Sequence, residues 1–292
     1  MPRMLTGQGL GDAATMSVDE REFQFTDRDF AFLRQIAYDH TGITLGDSKR
    51  QMVYGRLARR IRQLGLGSFA DYCKRVEDDL DSELGELVNA ITTNLTSFFR
   101  ENHHFEHLAN TALPEIMACN AGARRLRVWS AGCSTGEEPY SIAMTLAESG
   151  QLSGWDARIL ATDIDTNVVA KASSGVYGDD RIQGIAPQRL RRWFQRGNGP
   201  NAGKARVVQP LRDMIAFRQL NLLGPWPMQG PFDIIFCRNV VIYFDKETQR
   251  KLFARYADLL APHGYLYIGH SENLFKISEQ FRLLGGTIYK KV

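Results

Sequence analysis

The sequence predicts two folding units: a small all-helical domain, then an α/β domain built on a mostly parallel sheet with helices on both faces. Three observations carry that expectation. From Thr26 to about Ile91 the apolar residues recur with the helical period. After about Arg125, strand-like runs alternate with helical ones, the pattern of a parallel sheet. Between the first of those strands and the first of those helices, Val128 to Ala143 holds a glycine-punctuated loop of the type that seats a nucleoside-bearing cofactor at a sheet edge.

Residues 1–25 are rich in Gly, Ala and Asp, show little periodicity and read as a loose tail, with Met16 an alternative start. Thr26-Asp27-Arg28-Asp29 offers an N-cap before Phe30, Leu33 and Ile36, and Gly42 interrupts that helix. A second helix is expected over 48–64, ended by Gly65 and Gly67, and a third over 69–76. Leu80, Leu84, Leu87, Val88 and Ile91 mark a fourth, closing a helical domain of residues 26–91. Residues 92–125 read as a linker and helix. The remainder, 126–292, forms the α/β domain, with strands at 126–129, 158–161, 215–217, 232–237 and 265–268 and helices at 139–148, 167–174 and 246–260. An insertion at about 176–213 holds a helical stretch. It then runs through Arg196-Gly197-Asn198-Gly199-Pro200-Asn201-Ala202-Gly203-Lys204, a hairpin signature.

At 292 residues, 43% hydrophobic and 24% charged, the chain has the composition of a soluble globular protein. It has no apolar run of membrane-span length and no signal-peptide pattern at its start, so a cytoplasmic location is expected, without membrane insertion. Cys73, Cys119, Cys133 and Cys237 form no CxxC pair, which argues against zinc and against a disulfide framework. His103, His104 and His107 lie close together at helical spacing and read as structural; no metal is expected. A net charge of +3 is too small to imply nucleic acid by itself.

The loop after the first strand discriminates between cofactors. Gly132 and Gly136 allow sharp bends and close approach to a ligand, and Pro139 suits a first helical position. Glu137 and Glu138 stand where a dinucleotide site would present N–H groups to a pyrophosphate. Carboxylates there repel a diphosphate and attract a cation. S-adenosylmethionine, with an ammonium and a sulfonium and no phosphate, fits; an ordinary strand-loop-helix with solvated acids would read the same way. Asp163, ending the second strand, can accept from both ribose hydroxyls, while Asp165 suits the cap of the next helix. The strand 232–237 ends on Arg238-Asn239, followed by Tyr243-Phe244. Methyltransferases of nucleobase amines usually carry two prolines where this chain has Val240 and Val241, which counts against a base-modifying enzyme.

Four separated segments then identify a family. Thr92-Thr93-Asn94-Leu95-Thr96-Ser97-Phe98-Phe99-Arg100-Glu101, Ser134 to Ser141, Phe236 to Val240 with Ile242 to Asp245, and Gly269-His270-Ser271-Glu272 closely resemble the CheR family of chemotaxis receptor methyltransferases. The resemblance runs from about Thr26 to the C-terminus. It implies a Rossmann-like class I methyltransferase domain with a small inserted β-subdomain behind an all-helical N-terminal domain. It also implies methyl transfer from S-adenosylmethionine to glutamates of methyl-accepting chemoreceptors, releasing S-adenosylhomocysteine. By that resemblance Asn94, Thr96, Arg100, Glu138, Asp163, Asn221, Leu222, Arg238 and Asn239 contact the cofactor, and Arg100 and Tyr243 lie beside the transferred methyl. A monomer is expected.

Two surfaces suggest partners. The helix from Ser48 carries Lys49, Arg50, Arg56, Arg59, Arg60 and Arg62 with no acid between Asp47 and Asp71. Such a run is usually a solvated face, but Arg56, Arg59 and Arg60 also suit docking of an acidic receptor helix; nucleic acid would suit the charge alone equally well. The hairpin resembles the β-subdomain with which some family members bind a receptor's C-terminal peptide. Gly197 and Gly203 shape it, and Arg196 or Arg206 can take the peptide's carboxylates, unless the segment is only a tight turn. Two rivals remain: a nucleic-acid methyltransferase, and a module that binds the cofactor without turnover.

Overall fold

The computed structural model describes residues 22–292. Thr26 caps α1 (Asp27–Thr41) reciprocally: its hydroxyl accepts from the Asp29 N–H, and the Asp29 carboxylate accepts from the Thr26 N–H. Gly42 ends the helix in the left-handed region at φ 69°. After a short 3-10 turn come α2 (Arg50–Leu64), α3 (Phe69–Asp78) and α4 (Leu80–Ile91), as the helical period predicts. Their apolar faces meet around Leu33, Val53, Leu57, Ile61, Phe69 and Leu87. The expected tail is too long at its C-terminal end. Phe23 and Phe25 are buried in this core, with the Phe25 ring 4.2 Å from that of Phe69. An extended segment that docks two aromatics has no period to betray it. The rest of the expected tail, 1–21, lies outside the described residues.

The chain continues through α5 (His103–His107) and α6 (Leu113–Cys119) to β1 (Arg125–Ala131), α7 (Glu137–Glu148), β2 (Asp156–Asp163) and α8 (Thr166–Ser174). The insertion comprises β3 (Val176–Gly178), α9 (Asp179–Ile182), α10 (Pro187–Trp193), β4 (Phe194–Arg196), β5 (Lys204–Val207) and α11 (Gln209–Asp213). Then follow β6 (Ile215–Gln219), β7 (Phe232–Cys237), α12 (Lys246–Leu259), β8 (Leu260–Ile268), β9 (Phe281–Gly285) and β10 (Ile288–Lys291). Because α7 starts at Glu137, Pro139 falls in its first turn but not at the first position; its missing N–H costs nothing there either.

The main sheet has the order β6-β2-β1-β7-β8-β10-β9. β6, β2, β1, β7 and β8 are parallel, and β10 and β9 add an antiparallel edge that the sequence reading missed. The chain moves outward from β1 through β2 to β6, then returns to β7 on the other side of β1. That reversal opens a crevice at the C-terminal ends of β1 and β7, where ligands of open α/β sheets bind. One core packs α5, α6 and α7 on the sheet, and a second packs α12 around the buried Trp129. β3, β5 and β4 form a separate small sheet in which β4 is an edge.

No helix among the described residues is long and apolar enough to cross a membrane. The histidine cluster is held by structural partners. His103 and His104 each meet the Gly286 carbonyl, and His107 meets the Tyr267 hydroxyl. Burial, and then Arg238, pushes His104 down to about 4, so it is neutral at ordinary pH.

Candidate active site

A cavity of about 970 Å³, its open mouth included, lies at the β1/β7 crevice beneath residues of the helical domain. Its floor is the loop after β1. Gly132 sits at φ 101°, and a Cβ there would stand 2.3 Å from Val240 Cγ2, so only glycine lets this loop pass the one after β7. The Gly132 and Cys133 N–H groups both donate to the Thr162 carbonyl, at 2.8 Å each, fixing the loop beside the end of β2.

Asp163 ends β2 facing the cavity. Its carboxylate accepts from the N–H groups of Ser134 (2.8 Å) and Asp165 (3.0 Å). Burial outweighs those donors and pushes the carboxyl up to about 6. Asp165 caps α8 through the Asn167 and Val168 N–H groups, as its position predicts. Its second oxygen accepts from Thr92 Oγ1 and Asn94 Nδ2, both at 2.8 Å. That acid therefore also anchors the segment that leaves the helical domain.

The two glutamates after Gly136 part company. Only Glu138 lines the cavity; it accepts from Ser130 Oγ (2.7 Å) and Arg238 (3.1 Å), and burial raises its carboxyl against both. Glu137, fully buried, accepts instead from Thr135 Oγ1 and from Arg181 of the insertion. The expectation that both acids face a cationic ligand is thus corrected. Consecutive residues at a helix start point about 100° apart, and the insertion supplies a cation that covers one of them.

Arg238 ties the centre together. Besides Glu138 it donates to the Arg100 carbonyl and lies 3.4 Å from Glu101. Arg100 stands between two residues in the left-handed region, Phe99 (φ 54°) and Glu101 (φ 56°), a costly turn for side-chain-bearing residues. Ser141 Oγ accepts from the Phe99 N–H and His270 meets the Glu101 carboxylate, so the surroundings hold that turn. Burial opposes charge on Glu101, yet His270 and Arg238 keep its carboxyl below the usual glutamate range.

Of the residues expected at the cofactor, Asn94, Thr96, Arg100, Glu138 and Asp163 line this one cavity. Leu222, Arg238, Asn239 and the expected catalytic Tyr243 line it too. Asn221 does not: its amide donates to the His40 carbonyl (2.7 Å) and accepts from the Leu223 N–H. The sequence reading missed the roof, Thr41, Ile43 and Ile91 of the helical domain. It also left Glu272 without a role. That buried carboxylate accepts from the N–H groups of Gly269, Asn239, Val241 and Ile242 and so shapes the loop carrying Tyr243. The Gly269-His270-Ser271-Glu272 motif was the available signal.

The two partner surfaces fare differently from the cavity. Acids absent from α2 arrive from other elements. Arg60 holds the fully buried Glu83 with two bonds, and Arg75 adds a third. Burial works against the Glu83 charge, but both arginines outweigh it and hold the carboxyl low. Arg56 donates to the Ala90 carbonyl at the end of α4. Arg59 is exposed and has no ion pair or hydrogen bond among the described residues. In the insertion Arg196 pairs with Asp179, and Arg206 donates to the Ser174 carbonyl. Gly197 has its own steric reason, since a Cβ would stand 2.2 Å from the Asn201 carbonyl, and Gly203 lies at φ 78°.

Residues 94–290 match the family described as CheR methyltransferase, SAM binding domain, and residues 28–92 match its all-alpha domain. The chain belongs to the CheR methyltransferase family. It is 50% identical over 275 residues to chemotaxis protein methyltransferase 2 of Pseudomonas aeruginosa, covering 92% of this chain and 95% of that one. It is 46% identical over 266 residues to the chemotaxis protein methyltransferase of Escherichia coli, covering 90% and 91%. This CheR-family chain is accordingly an S-adenosylmethionine-dependent methyltransferase with an all-helical N-terminal domain. The cavity suits that cofactor. Asp163 and Glu138 are buried acids that line it, and no side chain at Gly132 obstructs the floor.

Proposed function

We propose that this chain methylates glutamate side chains of methyl-accepting chemoreceptors, leaving methyl esters and S-adenosylhomocysteine, and does so as a cytoplasmic monomer acting on protein, not nucleic acid. The observation that carries the reading is the pairing at the cavity of buried carboxylates, Glu138 and Asp163, with Arg100 and Tyr243. The acids suit the cofactor; the cation and the hydroxyl suit an incoming anion.

Bound S-adenosylmethionine supplies an electrophilic methyl group. A glutamate, with an ordinary pKa near 4.3, is already a carboxylate at neutral pH and needs no general base. The protein's task is orientation, for which effective concentration alone can supply roughly 7–11 kcal/mol. Arg100 clamps the incoming carboxylate or the cofactor, and the Tyr243 hydroxyl directs one oxygen. Arg238 holds Glu138 and the Arg100 carbonyl in one frame, so cofactor and substrate sides stay in register. Arg59 docks the acidic receptor helix, with Arg56 and Arg60 adding field from their internal partnerships. β4, with Arg196 and Arg206 at the hairpin, receives the receptor tail.

Tyr243→Phe tests the chemistry. It should bind cofactor as wild type does and lose kcat, because only the orienting hydroxyl is gone. Full kcat would return Tyr243 to a packing role.

A further inference from the structure

The turn that carries Tyr243 is held on two sides by different domains. On its inner side Glu272 accepts from the Val241 N–H at 2.9 Å, and Gln249 Nε2 donates to the Val241 and Phe244 carbonyls, both at 2.9 Å. The Tyr243 carbonyl is fastened from outside instead. It accepts from the backbone N–H and from the hydroxyl of Thr44, each at 2.9 Å, and Thr44 belongs to the loop between α1 and α2. Two residues on, Asp245 caps α12 through the Thr248 N–H and accepts from the Tyr38 hydroxyl of α1 at 2.6 Å. Gly42 makes the approach possible: a Cβ there would lie 2.2 Å from Leu223 Cδ1 and 3.5 Å from the Phe244 ring. Ile242, beside the tyrosine, is 49% exposed and adds little packing of its own, while Val241 and Phe244 on either side of it and the tyrosine pack on the core.

We propose that the helical domain positions Tyr243 for methyl transfer, with Thr44 and Tyr38 as positioning residues that brace its turn from the opposite domain. The proposal rests on the reading that the Tyr243 hydroxyl orients the reacting carboxylate. A bond to the tyrosine's own carbonyl fixes the Cα from which the phenol projects, and a shift of about 1 Å at a reacting group is enough to cost rate on the order of a hundredfold. The brace loop also leads directly into α2, so a partner seated on α2 would press on the element that holds Tyr243.

The test compares Thr44→Val, Tyr38→Phe and their double variant with Thr44→Ser and Tyr243→Phe, measuring kcat and KM on a receptor cytoplasmic fragment and cofactor affinity by calorimetry. The double variant removes two hydroxyl bonds and keeps the Thr44 N–H bond to the Tyr243 carbonyl; it should lose roughly tenfold in kcat, with cofactor affinity unchanged. Thr44→Ser, which keeps the donor, should retain wild-type kcat. Combined with Tyr243→Phe, the brace changes should lower kcat no further, because they act through the hydroxyl already removed. An unimpaired double variant beside an impaired Tyr243→Phe overturns the brace alone. So does an equal loss in the Tyr243→Phe background. Full activity of Tyr243→Phe by itself overturns the underlying reading.

Discussion

Acidification should loosen the cofactor, and Asp163 sets how far. Its carboxyl is pushed up to about 6 by burial against the two N–H groups that favour the charge. On the proposed assignment of Asp163 to the ribose, the charged form is the one that accepts from both hydroxyls. At pH 8 about 99% of the free enzyme carries that charge; at pH 5 only about one molecule in eleven does, and apparent affinity scales with the competent fraction. The dissociation constant should therefore rise roughly tenfold from pH 8 to pH 5, where an ordinary aspartate would change it by about a tenth. Burial raises the Glu138 carboxyl as well, so its contribution has the same sign. Stability of the free protein runs the other way. A carboxyl whose pKa is raised by folding is neutral to stability below its unfolded value near 3.8. The penalty grows as pH rises from there to about 6, and the shift corresponds to about 3 kcal/mol when complete. Calorimetric titration with S-adenosylhomocysteine across this range is the assay, with Asp163→Asn as the control that should bind weakly at every pH and lose Asp163's share of the slope, leaving only that of Glu138. A flat profile in wild type, or an unchanged slope in Asp163→Asn, would mean that Asp163 does not titrate against the cofactor.

Charge reversal on α2 should separate docking from folding. Arg59→Glu should raise the receptor KM and leave the melting temperature unchanged, whereas Arg60→Glu sets a carboxylate against the fully buried Glu83 and should lower it by several degrees, about 1–3 kcal/mol; an equally stable Arg60→Glu contradicts the assigned ion pair. Gly132→Ala must force the loop after β1 away from Val240 at a positive φ, so cofactor affinity should drop at least tenfold, about 1.4 kcal/mol, while the helical domain keeps its hydrogen-exchange protection. Arg196→Ala with Arg206→Ala should abolish binding of a receptor-tail peptide, expected near micromolar or about −8 kcal/mol, and leave methylation of tail-less fragments intact. Failure of every candidate tail peptide to bind wild type would make the insertion purely structural.

Much of this was legible because the residues that matter act locally. The Thr26–Asp29 capping box, the bend at Gly132 and the acid ending β2 are each set by a few consecutive residues, and the sequence displays them directly. β9 and β10 were missed because they are short and carry charges, Arg282 on the edge strand β9 and Lys290 and Lys291 on β10 beside it; Gly285-Gly286 between them was the turn signal available. Phe23 and Phe25 were hidden by the lack of any period in an extended segment. The pairing of Arg60 with Glu83 lies beyond helix periodicity, since the acid comes from α4, and so an apparently bare basic flank proved half compensated. The roof of the cavity and the contacts of Thr44, Tyr38 and Asn221 depend on how two domains meet. No single-segment pattern encodes that meeting.

Whether this chain esterifies receptor glutamates is decided by transfer of labelled methyl from S-adenosylmethionine. Receptor cytoplasmic fragments and nucleic acid are offered to the enzyme in parallel, and the product is treated with mild alkali. Label should enter the receptor only, leave as methanol in base because it is held as a glutamate ester, and accumulate much more slowly with Tyr243→Phe. Label that enters nucleic acid, or protein label that survives alkali, would contradict it.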